Sequence, residues 1–114
     1  MERPVMDAGF LATVHQSARK RILYLPHALD AMNAADELIT PDEVRNVIAW
    51  GDIIEDYPED VRGHSYLMLG HGVRGRPIHV ICSPKSEFLT IITVYLPDSS
   101  RWRNDWKTRI RRGQ

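Results

Sequence analysis

The chain has 114 residues with 15 Lys+Arg, 15 Asp+Glu and 5 His, so its formal net charge is zero. That length fits one small domain, and a hydrophobic content of 43% excludes a fully disordered chain. The single cysteine, Cys82, excludes an internal disulfide framework and a cysteine-rich zinc site, and no apolar run approaches the roughly 18–20 residues of a membrane span.

The N-terminal stretch carries Glu2 and Asp7 and lacks the continuous apolar run of a signal peptide, so a cytoplasmic location is expected. Residues 1–21 read as a helical extension, with Phe10, Leu11, Val14 and Ala18 at helical spacing and Arg19, Lys20 and Arg21 after them. Ile22–Leu25 is a short apolar run that suits either a strand or the start of the next helix. Pro26 fits the first turn of that helix, where its missing N–H costs nothing, and Ala28, Leu29, Met32 and Ala35 make one apolar face. Thr40-Pro41-Asp42-Glu43 is a capping box with proline at the first helical position. Val44, Val47 and Ile48 supply the buried stripe of that helix, and Gly51 the expected stop.

After Gly51 the hydrophobic period falls to two. Strands are predicted over Ile53–Tyr57, Ser65–His71, Pro77–Ser83 and Phe88–Leu96, joined by short links that favour an antiparallel meander. Helices first and strands later predict an α+β fold, with N-terminal helices on one face of a four-stranded, mainly antiparallel sheet. The expected divisions are residues 1–21 as an extension, 22–100 as the core domain and 101–114 as a tail.

Zero net charge hides a polar layout. The tail holds Arg101, Arg103, Lys107, Arg109, Arg111 and Arg112 against the single acid Asp105, interleaved with Trp102 and Trp106. Residues 30–60 hold ten Asp/Glu opposed only by Arg45. The tail therefore suits an anionic partner such as RNA, its cations on phosphates and its indoles on bases. It equally suits pairing with the chain's own acidic block.

Strand alternation puts Thr90, Ile92, Val94 and Leu96 on one side and Leu89, Ile91, Thr93 and Tyr95 on the other. In the preceding strand Ile78, Val80 and Cys82 oppose His79 and Ile81. With the apolar rows under the helices, His79, Thr93 and Tyr95 share the second face. His79 alone reads as a hydrogen-bonded strand histidine; neighbours such as Thr93 and Tyr95 raise a functional reading if the strands are adjacent. His27, in the first turn of a helix, is a candidate general base or a surface histidine. Arg62, Arg74 and Arg76 sit at strand ends, where arginines contact phosphates or are simply solvated.

No metal and no cofactor is expected. His79 and Cys82 face opposite sides of a strand, and His64 and His71 have no carboxylate at ligand spacing. The zinc-peptidase, P-loop and dinucleotide signatures are absent, and Gly70-His71-Gly72 is too loose for a phosphate loop. Cys82, pointing inward, reads as core rather than as a nucleophile.

Several segments in order carry a resemblance. They are His27-Ala28 ahead of a helix, Thr40–Gly51, Asp52–Gly63 (DIIEDYPEDVRG), Arg76–Val80 (RPIHV), Ile91–Tyr95 (IITVY), and Pro97-Asp98 followed by Trp102. Together, from about Ile22 to Arg112, they resemble a bacterial family of domains of unknown function, the one numbered 4258. The resemblance implies kinship with the RelE/barnase-like ribonuclease toxins, and hence that fold, RNA as substrate and a zinc-finger antitoxin of the MqsA type as partner. It also implies that His27, Arg62, His79, Thr93 and Tyr95 carry the chemistry. Many relatives have arginines or acids in the helix after the histidine, where this chain has Ala31, Ala34 and Ala35.

The expected activity is metal-independent RNA cleavage by a toxin-type endoribonuclease. His27 or His79 takes the ribose 2′-OH proton, the other histidine or Tyr95 protonates the leaving 5′-oxygen, and Arg62 steadies the phosphate. Arg74, Arg76, Arg101, Trp102, Arg103, Lys107 and Arg109 are the expected substrate contacts. The alternative is a catalytically inactive module of the same fold that grips a protein or nucleic acid, which the missing helix arginines favour.

Overall fold

The computed structural model describes residues 6–34, Asp36 and residues 38–111. Ala35 and Arg112, named above for an apolar face and for the tail, lie outside them, as do residues 1–5. The elements are α1 (Met6–Lys20), β1 (Ile22–Tyr24), α2 (Pro26–Met32), α3 (Pro41–Trp50), β2 (Asp52–Tyr57), β3 (Ser65–His71), β4 (Pro77–Pro84) and β5 (Leu89–Tyr95). A single 3-10 turn, Val73–Gly75, joins β3 to β4.

The fold is α+β, with one five-stranded sheet in the order β1-β5-β4-β3-β2. The four expected strands form the antiparallel meander β2–β5. The correction is a fifth strand: Ile22–Tyr24 joins the edge parallel to β5, so the sheet is mixed. A run this short has no readable period. Backbone bonds capture it, from Leu89 N–H to the Arg21 carbonyl at 2.8 Å and from Leu25 N–H to the Ile91 carbonyl at 3.0 Å.

All three helices cover one sheet face. Val14 from α1, Ala28 and Met32 from α2, and Val44, Val47 and Ile48 from α3 pack on Met68, Val80, Cys82, Ile91 and Val94. Burial of these side chains, about 1.5–3 kcal/mol for each valine, isoleucine or methionine, is the main driving force for the fold. α1 is tied down by His15 Nε2–H on the Ile48 carbonyl at 2.9 Å and by Ser17 Oγ on the Lys85 carbonyl at 2.6 Å. Cys82 lies wholly inside, and burial pushes its thiol up to about 12.

The capping box of α3 forms as expected: Glu43 N–H donates to Thr40 Oγ1 and Thr40 N–H to Glu43 Oε1, both at 3.1 Å. Glu43 also has a long-range task. Its carboxylate accepts Val73 N–H at 2.8 Å and the Arg76 guanidinium at 3.0 and 2.8 Å, tying α3 to the β3–β4 connection. Arg76 is therefore a structural partner of Glu43 in this state. A Cβ at Gly72 would collide with the Glu43 carboxylate and with Ile78 Cδ1, so glycine lets both lie against the backbone there. Gly51 ends α3 in extended backbone at φ −80°, not in the left-handed cap. Its Cβ would meet the Leu69 and Val47 carbonyls at 2.5 Å, so close approach rather than a positive φ demands glycine there.

Arg76 holds the Glu43 carboxyl down, from an ordinary 4.5 to about 2, with help from the Val73 and Thr40 amides and against its burial. A depressed carboxyl stabilises the fold above its unfolded value and ceases to do so as pH falls through its folded one. Glu43→Gln is expected to cost about 3 kcal/mol at pH 7, measured by urea unfolding. The gap between wild type and variant closes as pH drops from 4.5 toward 2.

Candidate active site on the helix-free sheet face

The sheet face away from the helices carries a polar cluster, and two β-bulges aim its side chains. In β5 the register jumps from Cys82↔Ile91 to Ile81↔Thr93, leaving Ile92 without a partner in the ladder. Leu89 and Ile91 therefore lie under the helices at one end of the strand and Val94 at the other. The expected row Leu89, Ile91, Thr93, Tyr95 is thus broken in the middle. In β2 the register jumps from Ile53↔Met68 to Glu55↔Leu67. Strict alternation from the buried Ile53 would send Glu55 under the helices, but the bulge turns it to the open face.

On that face His79 and Tyr95 are direct cross-strand partners, with ring centroids 5.2 Å apart, and Thr93 stands beside them opposite Ile81. The C-terminal segment then folds back as a strap over both. Asp98 accepts Ser100 N–H at 2.9 Å and starts one turn, and Asp105 accepts Lys107 N–H at 2.9 Å and Thr108 N–H at 3.0 Å in a second. Trp102 and Arg109, on either side of the second turn, form an antiparallel bridge. Trp102 is inserted against the sheet, 3% exposed, with its ring edge-on to His79 at 4.5 Å.

His79 itself is fully buried. Its Nε2 lies 2.7 Å from the Trp106 carbonyl and its Nδ1 3.2 Å from the Tyr95 hydroxyl. A carbonyl only accepts, so Nε2 carries the proton; in the neutral ring Nδ1 is bare and accepts Tyr95 O–H. Burial pushes the imidazole pKa below its ordinary 6.5, as does the nearby Arg109, while the Trp106 carbonyl and the Glu55 charge oppose this. Burial likewise pushes the Tyr95 phenol up.

Beside this pair lies a charged cluster. Arg109 grips Glu55 through Nε at 2.8 Å and Nη2 at 3.0 Å, and stacks its guanidinium 4.7 Å above the Trp102 ring. The Tyr57 hydroxyl donates to the same carboxylate. Burial works to raise the Glu55 carboxyl, but Arg109 and Tyr57 together hold it below its usual range. Lys107 pairs with Asp52 at 3.5 Å. Two tail cations thus sit on the acidic block, and Trp102 is a core residue rather than an exposed stacking platform. An open cleft of about 510 Å³ remains where Tyr95, Arg101, Trp102 and Arg109 meet.

The other named residues lie elsewhere. His27 is exposed at the start of α2, whose Ala28 and Met32 pack on the opposite sheet face. Arg62 is bound to Asp60 at 3.0 and 3.2 Å in the β2–β3 turn, near the far end of β4. Arg74 stands exposed on the 3-10 turn, and Arg103 on the strap. The geometry thus brings together His79, Thr93, Tyr95, Arg101, Trp102 and Arg109 and leaves out His27, Arg62, Arg74 and Arg76. It adds Glu55 and Tyr57. Among the described residues no three His, Cys, Asp or Glu side chains cluster as metal ligands, and no helix is long and apolar enough to cross a membrane. A second cleft, of about 390 Å³ between α1 and α3, is walled mainly by apolar groups such as Ala18, Ile48 and Trp50.

A small α+β domain with a buried, hydrogen-bonded histidine–tyrosine pair on its helix-free sheet face is the class these features define. The chain belongs to the family described as a domain of unknown function, DUF4258, which matches residues 24–96. No curated protein and no solved structure matches the chain.

The buried histidine stays neutral while the unfolded chain's histidine takes up its proton, so its stabilisation is present above pH 6.5 and falls as pH drops toward its lowered folded value. Urea unfolding at pH 7 and pH 5 is expected to show a smaller loss of stability on acidification in His79→Gln than in wild type.

Proposed function

We propose that the chain is a metal-independent endoribonuclease of the toxin type. The observation that supports this reading is the tautomer-fixed His79–Tyr95 pair at the edge of a cleft flanked by Arg101 and Arg109. The two arginines take the non-bridging oxygens of a phosphodiester. The ribose 2′-OH gives its proton to the Tyr95 oxygen as Tyr95 O–H passes its own to His79 Nδ1. The 2′-oxygen attacks phosphorus, the bond to the 5′-oxygen breaks, and water in the open cleft protonates the leaving group. The products are a 2′,3′-cyclic phosphate and a free 5′-OH. Arg101 and Arg109 stabilise charge as it develops on the phosphate, and the need for a 2′-OH selects RNA over DNA. His27 and Arg62 have no part in this version of the chemistry. Kinship with the RelE/barnase-like toxins, a zinc-finger antitoxin as partner and action in the cytoplasm belong to the same proposal.

A second reading, an inactive binding module, is favoured by one observation. His79 is fully buried, and both its ring nitrogens are bonded within the chain.

Cleavage of end-labelled RNA by the purified chain separates the two readings. The enzyme reading predicts a cyclic-phosphate product and a loss of about 10²-fold or more in Tyr95→Phe, whose fold is unchanged by circular dichroism. It also predicts a rate that rises with pH to a plateau from an acid limb below 6.5, since His79 must be neutral to accept the proton. Equal cleavage by wild type and Tyr95→Phe contradicts the relay, and no cleavage by wild type leaves the binding module.

A further inference from the structure

We infer that the groove between α1 and α3 is a docking site for another protein, taken by an acidic segment that carries a large apolar side chain. The inference goes beyond the reading above and does not rest on it, because the groove lies on the helix side of the sheet, opposite His79 and Tyr95.

The groove is built into the fold and holds about 390 Å³. Ala18 on α1 and Ala49 on α3 are short enough to leave space between the helices, and Ile22 and Ile48 add aliphatic surface. Ile22 belongs to β1, the edge strand of the sheet. His15 Nε2–H on the Ile48 carbonyl, at 2.9 Å, ties one helix to the other there, so the space exists before anything binds. A preformed site binds without the cost of ordering. Trp50 stands at the rim and is 82% exposed. It is the single exposed aromatic residue among the described ones. Val44, Val47 and Ile48 make the buried stripe of α3, and position 50 falls off it, so this indole adds nothing to the core. Tryptophan is among the residues that dominate protein–protein contacts, and an exposed one beside an apolar groove marks an interaction surface.

Charge decides the occupant. Arg19 on α1 and Arg45 on α3 stand exposed on the two walls, and Lys20 and Arg21 follow where α1 ends. Arg45 reaches Asp42 and Lys20 reaches Glu87, in pairs exposed enough for water and salt to weaken them. Arg19 and Arg21 pair with no described carboxylate. The rim therefore keeps a positive excess, which favours a partner that meets it with Asp or Glu over a neutral or basic one. Nucleic acid satisfies the cations but not the walls. Bases stack on ring faces and phosphates follow a cationic track, whereas this groove offers aliphatic sides that suit a leucine or phenylalanine side chain. A segment seated here leaves the cleft beside Tyr95 open on the other face, so it holds the domain without blocking that cleft.

The test selects peptides from a random phage-displayed library on the immobilised full chain. The selected peptides are then made synthetically and titrated with wild type and variants by fluorescence anisotropy. They are expected to share one large apolar residue flanked by Asp or Glu. Their affinity is expected to fall about tenfold or more in Trp50→Ala and about fivefold or more in Arg19→Ser/Arg45→Ser, and to weaken with added salt. Ala49→Glu, which fills the groove and adds a negative charge, is expected to abolish binding. All four positions are exposed, and urea unfolding checks that each variant keeps its fold. Selection of no peptide, a basic or purely polar consensus, or equal binding by wild type and Trp50→Ala overturns the proposal. So does displacement of the peptides by an equal concentration of oligouridylate, which assigns the groove to nucleic acid. A dimer in sedimentation that Trp50→Ala dissolves assigns it to a second copy and overturns the proposal as well.

Discussion

One hydrogen bond organises the helix-free face: His79 Nε2–H donating to the Trp106 carbonyl at 2.7 Å. It settles the tautomer, and the tautomer settles everything next to it. With its proton on Nε2 the neutral ring has one bare nitrogen, and Tyr95 fills it. The same bond pins the strap to the sheet at its most constrained residue. A buried polar atom without a partner would cost about 1–3 kcal/mol, so histidine and strap satisfy each other. Tyr95 and the strap are thus both held by a single imidazole.

The bulges in β2 and β5 do for the face what the hydrogen bond does for the ring. Each adds a residue that reverses the phase of its strand, and in β5 an aliphatic side stays under the helices on both sides of the reversal. Ile53 stays buried while Glu55 turns out; Ile91 and Val94 stay buried while Thr93 and Tyr95 turn out. Bulges commonly sit beside functional sites for this reason, since they re-aim side chains without unpairing the sheet.

The features legible in the sequence were the local ones. The capping box of α3 is a four-residue pattern, and Thr40 and Glu43 form it as the spacing predicts. Cys82 lies in the core, and His79 and Tyr95 share a face because both fall on the same side of the β5 bulge. Long-range features were illegible. Nothing near Arg76 announces a carboxylate 33 residues earlier, so it read as a phosphate contact instead of the partner of Glu43. Glu55 and Tyr57 were hidden by a bulge that no alternation count reveals. The tail left two readings open, a ligand for anions or a partner for the acidic block; the folded chain adopts the second through Glu55 and Asp52, and its exposed arginines keep the first available.

The most direct measurement of this arrangement is the protonation pattern of the His79 ring, read by nitrogen–proton correlation NMR on histidine-labelled full-length chain at pH 7. The account predicts a slowly exchanging proton on Nε2, a bare Nδ1, and a through-bond coupling from that proton to the Trp106 carbonyl carbon. A proton on Nδ1, or a ring averaging between tautomers, would contradict it.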